Sequence, residues 1–147
     1  MSEEKLTQQQ VQDLAGRHQQ YQYQAESLSQ QMNMVQMTIR DVETAIITIT
    51  SLKGESPGKE TLVPIGFNSF IKATITNTDK VVIGVGAGVS IEKKIDDAKT
   101  FLEKRKDELI KYNEKLTDAV SKLAQEMRNI ENIVQNFERS KQPMKAE

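Results

Sequence analysis

Cysteine and tryptophan are absent from the sequence, and aromatic residues make up only 5% of it. Without thiols there can be no disulfide framework and no thiolate metal site, and a reducing compartment is the simplest home for such a chain. Charge of one sign is missing as well. A formal net charge of -1 creates no field that would gather a nucleic acid backbone, and no basic run is long or amphipathic enough for a membrane surface. Neither nucleic acid nor membrane is expected as a partner. No segment approaches the about 18 apolar residues that a membrane span needs, and the start MSEEKLTQQQ lacks the basic-then-apolar order of a targeting signal. The expectation is a soluble, cytoplasmic protein. Hydrophobic residues at 37% with charged residues at 28% are thin material for a broad core and suit narrow helical seams, so an elongated shape is expected.

What is present is a seven-residue repeat. Val11, His18, Ala25, Met32, Ile39 and Ile46 form one row, and Leu14, Tyr21, Leu28, Val35, Val42 and Ile49 form a second row three residues later. Two rows at a strict spacing of seven mark a supercoiling helical seam, whereas an ordinary surface helix drifts toward a period of 3.6. No proline interrupts the run before Pro57. Gly54 can take a left-handed conformation at the helix end, and Pro57 cannot continue the helix.

The period then changes. Leu62–Ile65, Phe70–Ile75, Val81–Val85 and Val89–Glu92 are short apolar or alternating runs. They are punctuated by Gly66-Phe67-Asn68-Ser69, Thr76-Asn77-Thr78-Asp79 and Gly86-Ala87-Gly88, which predicts two hairpins whose four strands form one small sheet. From about Asp96 the heptads return as Leu102, Leu109, Leu116, Leu123, Ile130 and Phe137. The companion row reads as Arg105, Tyr112 and Ala119 at first, then Val120, Met127 and Val134, so the seam is expected to rotate along the second helix. Asp96 and Asp97 suit the positive end of the helix dipole.

The fold class expected is mainly α with a small β insert: a long antiparallel two-helix coiled coil whose helices are joined by two β-hairpins. The segments are an N-terminal coiled-coil helix over 1–53, a loop over 54–61, the hairpins over 62–94, a C-terminal coiled-coil helix over 95–140 and a flexible tail over 141–147. Two helices of roughly 45 residues, on the order of 65–70 Å each, would pair with position numbers summing to roughly 147.

No catalytic or metal-binding constellation is visible, and no cofactor is expected. His18 is the single histidine, and a polar seam residue that fixes register is its simplest reading. Gly84-Val85-Gly86-Ala87-Gly88 fails the dinucleotide fingerprint, because Val89 stands at the third glycine position, and it fails the P-loop, because no Gly-Lys-Ser/Thr follows. Lys104-Arg105-Lys106 reads as a solvated face.

Two burial problems point to function instead. The hairpins carry Leu62, Val63, Ile65, Phe70, Ile71, Ile75, Val81, Val82, Ile83, Val85, Val89 and Ile91, apolar on both strand faces, and four short strands are too little sheet to cover them. Either the helix roots cover one face or other chains supply strands, which makes this an assembly platform. At the far ends of the helices, Leu6, Val11, Leu14, Ile130, Ile133, Val134 and Phe137 gather more apolar surface than a two-helix seam can bury, and exposed patches mean binding. Plain coiled-coil packing competes with that reading, most strongly at Leu14 and Ile130. Met34 and Met37 also leave the seam rows.

Leu62-Val63-Pro64-Ile65-Gly66, Ser69-Phe70, Asp79-Lys80-Val81, Gly84-Val85-Gly86-Ala87-Gly88-Val89, Glu92-Lys93 and Phe101-Leu102-Glu103-Lys104-Arg105 resemble archaeal alpha subunits of the prefoldin family. These motifs cover about a third of the chain, and the two-hairpin insert resembles the alpha class rather than the single-hairpin beta class. Phe67-Asn68 departs from the Ala-Gly common there. The resemblance implies two alpha subunits joined to four prefoldin beta subunits through an inter-subunit β-barrel, with six coiled-coil arms. It implies an ATP-independent holdase, not an enzyme, that captures unfolded polypeptide clients at the arm tips and delivers them to a group II chaperonin. The alternative reading is a structural or tethering coiled-coil oligomer that binds folded partners.

Overall fold

The computed structural model describes residues 6–141; of the tail expected over 141–147, Lys141 is the last residue of the second helix and 142–147 lie outside the described residues. The order is α1 (Gln8–Leu52), β1 (Glu60–Gly66), β2 (Ser69–Thr74), β3 (Lys80–Gly86), β4 (Val89–Lys94) and α2 (Ile95–Lys141). Two compact units divide it. The helix segments up to Gln36 and from Lys111 form one, and Met37–Ile110 forms the other.

In the first unit α1 begins with a capping box that pattern reading passed over. The Gln10 amide donates to Thr7 Oγ1 at 3.2 Å, and the Thr7 amide donates to Gln10 Oε1 at 2.8 Å, so two otherwise orphaned donors are satisfied. Leu6 and Val11 then occupy the two positions of a hydrophobic staple. The seam of this unit is antiparallel, because low numbers of α1 meet high numbers of α2: Gln8 with Lys141 (3.4 Å), His18 with Glu131 (2.8 Å) and Gln31 with Tyr112 (3.5 Å).

Of the twelve α1 positions of the two predicted rows, from Val11 to Ile49, eleven are half-buried and Ile49 is buried. The α2 pattern needs correction. Arg105 and Tyr112 are exposed, while Lys106 and Asn113, one position on, are half-buried. Lys106, Asn113, Val120, Met127 and Val134 are all half-buried at a spacing of four from the leucine row, and of the expected early row only Ala119 is half-buried, beside Val120. Residue type misled here, since an aromatic ring at 112 looks more like a seam residue than an amide at 113. Heptad geometry decided otherwise. Asn113 Oδ1 is buried without a hydrogen-bond partner.

In the second unit the end of α1 is Ile46-Ile47-Thr48-Ile49-Thr50, five β-branched residues in a row and weak helix formers. The hydroxyls of Thr44, Thr48 and Thr50 each bond the carbonyl four residues back, so they do not compete for other backbone groups. Packing supplies the rest. Ile49, Ile83, Ile95 and Ala98 form the core of this unit, with Leu52, Val81, Phe101 and Leu102 against it. Gly54, at φ 81, ends the helix in the left-handed conformation expected. Buried Thr78 donates to the Glu55 carbonyl at 2.7 Å, which ties the loop after α1 to the linker between the hairpins. At the start of α2, the Lys53 ammonium donates to Asp96 at 2.9 Å and holds its carboxyl below the ordinary 3.8.

The four strands do not make one sheet. β1 pairs only with β2 and β3 only with β4, as two separate antiparallel hairpins. Both turns share one construction: a glycine bulge (Gly66 at φ 110, Gly86 at φ 112) followed by two residues at positive φ. This two-residue turn matches the twist of the strands and favours Asn and Gly. Ala87-Gly88 and Asn68 suit it tolerably, but Phe67 sits at φ 43 with its side chain fully exposed.

Two stability outcomes follow. Asn113→Leu should stabilise the chain by about 1–2 kcal/mol in chemical denaturation, since it removes a buried acceptor without a partner; destabilisation would show that the amide is satisfied in solution. Phe67→Asn should stabilise it by about 1 kcal/mol, the cost of a left-handed bulky residue being relieved while no packing is lost. A lower melting temperature for the isolated chain would contradict that account.

Candidate functional site

Register decides which side chains share a hairpin face. In the first hairpin, Val63 lies opposite Ile71, and Pro64 opposite Phe70. Neighbouring residues of a strand point to opposite faces, so both faces carry apolar groups. Leu62, Val63, Ile65, Phe70 and Ile71 are all exposed, by between 44% and 59%. Only Ile75, just past β2, and Ala73 are half-buried.

The second hairpin is two-sided in a different way. Ile83 pairs with Ile91 and Val82 with Glu92, so Val81, Ile83 and Ile91 share one face while Val82 stands among Ser90, Glu92 and lysines on the other. Ile83 is buried in the core of this chain and Val81 is half-buried beside it, whereas Val82, Val85, Val89 and Ile91 are exposed. Nine of the twelve residues assigned to assembly are therefore open to solvent. Ile83 anchors the hairpin to its own helices. Both hairpins also leave their outer strand edges unpaired among the described residues, which is a template for strands from elsewhere.

The other apolar set lies in the first unit. Leu6 and Ile133 are each 37% exposed; Val11, Leu14, Val134 and Phe137 are half-buried. Ile130, at 6%, is a seam residue. The Lys141 ammonium lies 4.4 Å from the centroid of the Phe137 ring, within cation–π range. A groove of about 280 Å³ opens between the helices, lined by Ala15, His18, Ile130, Glu131, Val134 and Gln135. It exists because Ala15 is too small to cover Ile130 and Val134. Sequence reading had not singled out Ala15, an exposed alanine one step outside the seam row. His18 sits at the edge of this groove, where Nε2 donates to Glu131 across the helices. The contact is partly exposed and links the two helices at this register.

Among the described residues there is no group of three or more His, Cys, Asp or Glu side chains placed to hold a metal ion, and no helix is long and apolar enough to cross a membrane. The described residues do present exposed apolar side chains and unpaired strand edges.

The family model described as "Prefoldin subunit" matches residues 21–138. The chain is 43% identical over 129 residues to prefoldin subunit alpha of Methanosarcina barkeri, covering 86% of this chain and 90% of that protein. It is 40% identical over 130 residues to the same subunit of Methanococcoides burtonii, covering 88% and 94%. Among solved structures, a cryo-EM structure of filamentous PFD from Methanocaldococcus jannaschii matches with a TM-score of 0.67 and 26% identity, covering 77% of this chain and 93% of that one. Two heptad helices joined by two hairpins, with a family match running from within α1 to within the last turns of α2, place the chain in the prefoldin subunit family.

Proposed function

We propose that this chain is the alpha-type subunit of an ATP-independent holdase of the cytoplasm. It joins beta-type subunits, two alpha with four beta, through its hairpins, which combine with partner strands into a β-barrel. The helix ends capture unfolded polypeptide, and the assembled complex hands it to a group II chaperonin. No enzymatic step is involved.

One observation carries this reading: the first hairpin is apolar on both faces, and its Leu62, Val63, Ile65, Phe70 and Ile71 are all left exposed by its own chain. The magnitudes favour strand addition over simple face packing. Burying the remaining surface of nine half-exposed side chains is worth about 1 kcal/mol each, or roughly 10 in all, against an association cost of about 4–15 kcal/mol. Apolar burial alone is marginal, so the open edges contribute by pairing backbone groups across subunits. Once several subunits share a platform, weak apolar contacts at the helix ends act together, and effective concentration raises capture without any nucleotide.

Native mass measurement of the chain mixed with a beta-type subunit should give a hexamer. Val63→Lys combined with Ile71→Lys should leave the chain monomeric at 16.6 kDa, because two charges on one hairpin face cannot be buried unpaired. A hexamer formed by that variant would contradict the platform. For capture, the complex should suppress aggregation of a chemically denatured protein in the absence of ATP. Replacing Leu6, Ile133 and Phe137 together by serine should lower this suppression severalfold with the hexamer intact; unchanged suppression would remove the helix ends from client contact.

A further inference from the structure

The solvent face of α1 in the first unit is nearly devoid of charge. Residues 8–36 contain eleven Gln but only three charged side chains, Asp13, Arg17 and Glu26, whereas residues 111–141 of α2 contain eleven charged side chains. Soluble surfaces are ordinarily about 25–35% charged, so α1 keeps its solvation by amides instead. The distribution is ordered as well. Stepping by four and three from Gln8 to Gln36 gives nine exposed positions along one side of the helix. Gln8, Gln12, Gln19, Gln22 and Gln36 hold five of them, and Glu26 is the one charge among the nine. The third position of this row is Ala15, whose small side chain opens the apolar groove over Ile130 and Val134. Gln135 continues the amide lining on the α2 side.

We infer that this row is a main-chain docking track, on which a neutral, extended segment of unfolded polypeptide lies with one apolar side chain in the Ala15 groove. Each residue of an unfolded chain presents one neutral N–H donor and one neutral C=O acceptor, whatever its side chain. A glutamine amide offers both complements on a flexible stem and loses less than an ion on leaving water. A charged row would select clients by their charge; an amide row does not. The groove volume of about 280 Å³ is below the roughly 300–1,000 Å³ of whole-ligand pockets and leaves room for a single large side chain. Nucleic acid fits poorly, since the row carries no cation. The inference rests on the holdase reading and gives it a molecular basis for indifference to client sequence.

The test uses the assembled complex with its beta-type partner. The probe is fluorescently labelled α-lactalbumin, reduced and carbamidomethylated so that it stays unfolded, and binding is titrated without nucleotide. One variant carries Gln12→Glu, Gln19→Glu and Gln22→Glu; a second carries Gln12→Lys, Gln19→Lys and Gln22→Lys. All three positions are exposed, so circular dichroism and native mass should match the parent. Both variants are expected to bind the probe at least fivefold more weakly, irrespective of the sign introduced. Affinities within twofold of the parent, or opposite effects of the two signs, would overturn the track while leaving the holdase reading in place. Loss of the hexamer in the variants would assign the row to a neighbouring subunit and overturn it too. A parent complex that leaves the probe unbound would overturn both.

Discussion

A two-helix seam can bury only one stripe of each helix, and every other feature of this molecule answers to that limit. The heptad rows fill the stripe and stop there, with few side chains fully removed from water. Stability has to be gathered elsewhere. Side chains from three elements converge in the cluster of Ile49, Ile83, Ile95 and Ala98, where the end of α1, the strand β3 and the start of α2 meet. The β-branched end of α1 is helical because this cluster holds it, since its intrinsic propensity would favour a strand.

The same limit explains why apolar groups remain outside. A two-stranded hairpin has two faces and two edges, and a narrow helix pair can cover one of them. The second hairpin uses that cover through Val81 and Ile83 and keeps a polar far side. The first hairpin receives none. Its Val63, Phe70 and Ile71 stay open to solvent in the chain by itself, an apolar surface of the kind that marks an interaction site. In the first unit the compromise differs: Ala15 leaves a groove in the seam, and His18 with Glu131 keeps the register where an apolar pair would have sealed it.

Polar residues in the seam are therefore specific in role. His18 reaches a partner on the other helix, while Asn113 is held at a seam position with its carbonyl oxygen unsatisfied. Each costs stability relative to an aliphatic residue, and each disfavours a shifted pairing, in which a polar group would meet apolar neighbours.

Much of this was legible in the residues themselves. The rows of α1, the glycine stop at Gly54 and the four strand segments follow from periods of seven and two and from turn chemistry, all local properties. Thr7-Gln8-Gln9-Gln10 was legible as a capping box too, and was passed over because a glutamine run reads as featureless. The resemblance of the insert to prefoldin alpha subunits also rested on residues alone. Other features depended on tertiary structure. Whether Tyr112 or Asn113 enters the seam is set by the partner helix, because side-chain type and heptad spacing disagree at that point. That Ile83 is core while Val82 and Ile71 are open, that the two hairpins stay separate sheets, and that Ala15 uncovers a groove depend on which surfaces meet across the chain. Periodicity tells each residue which way to face; only the assembled elements decide what, if anything, is there to cover it.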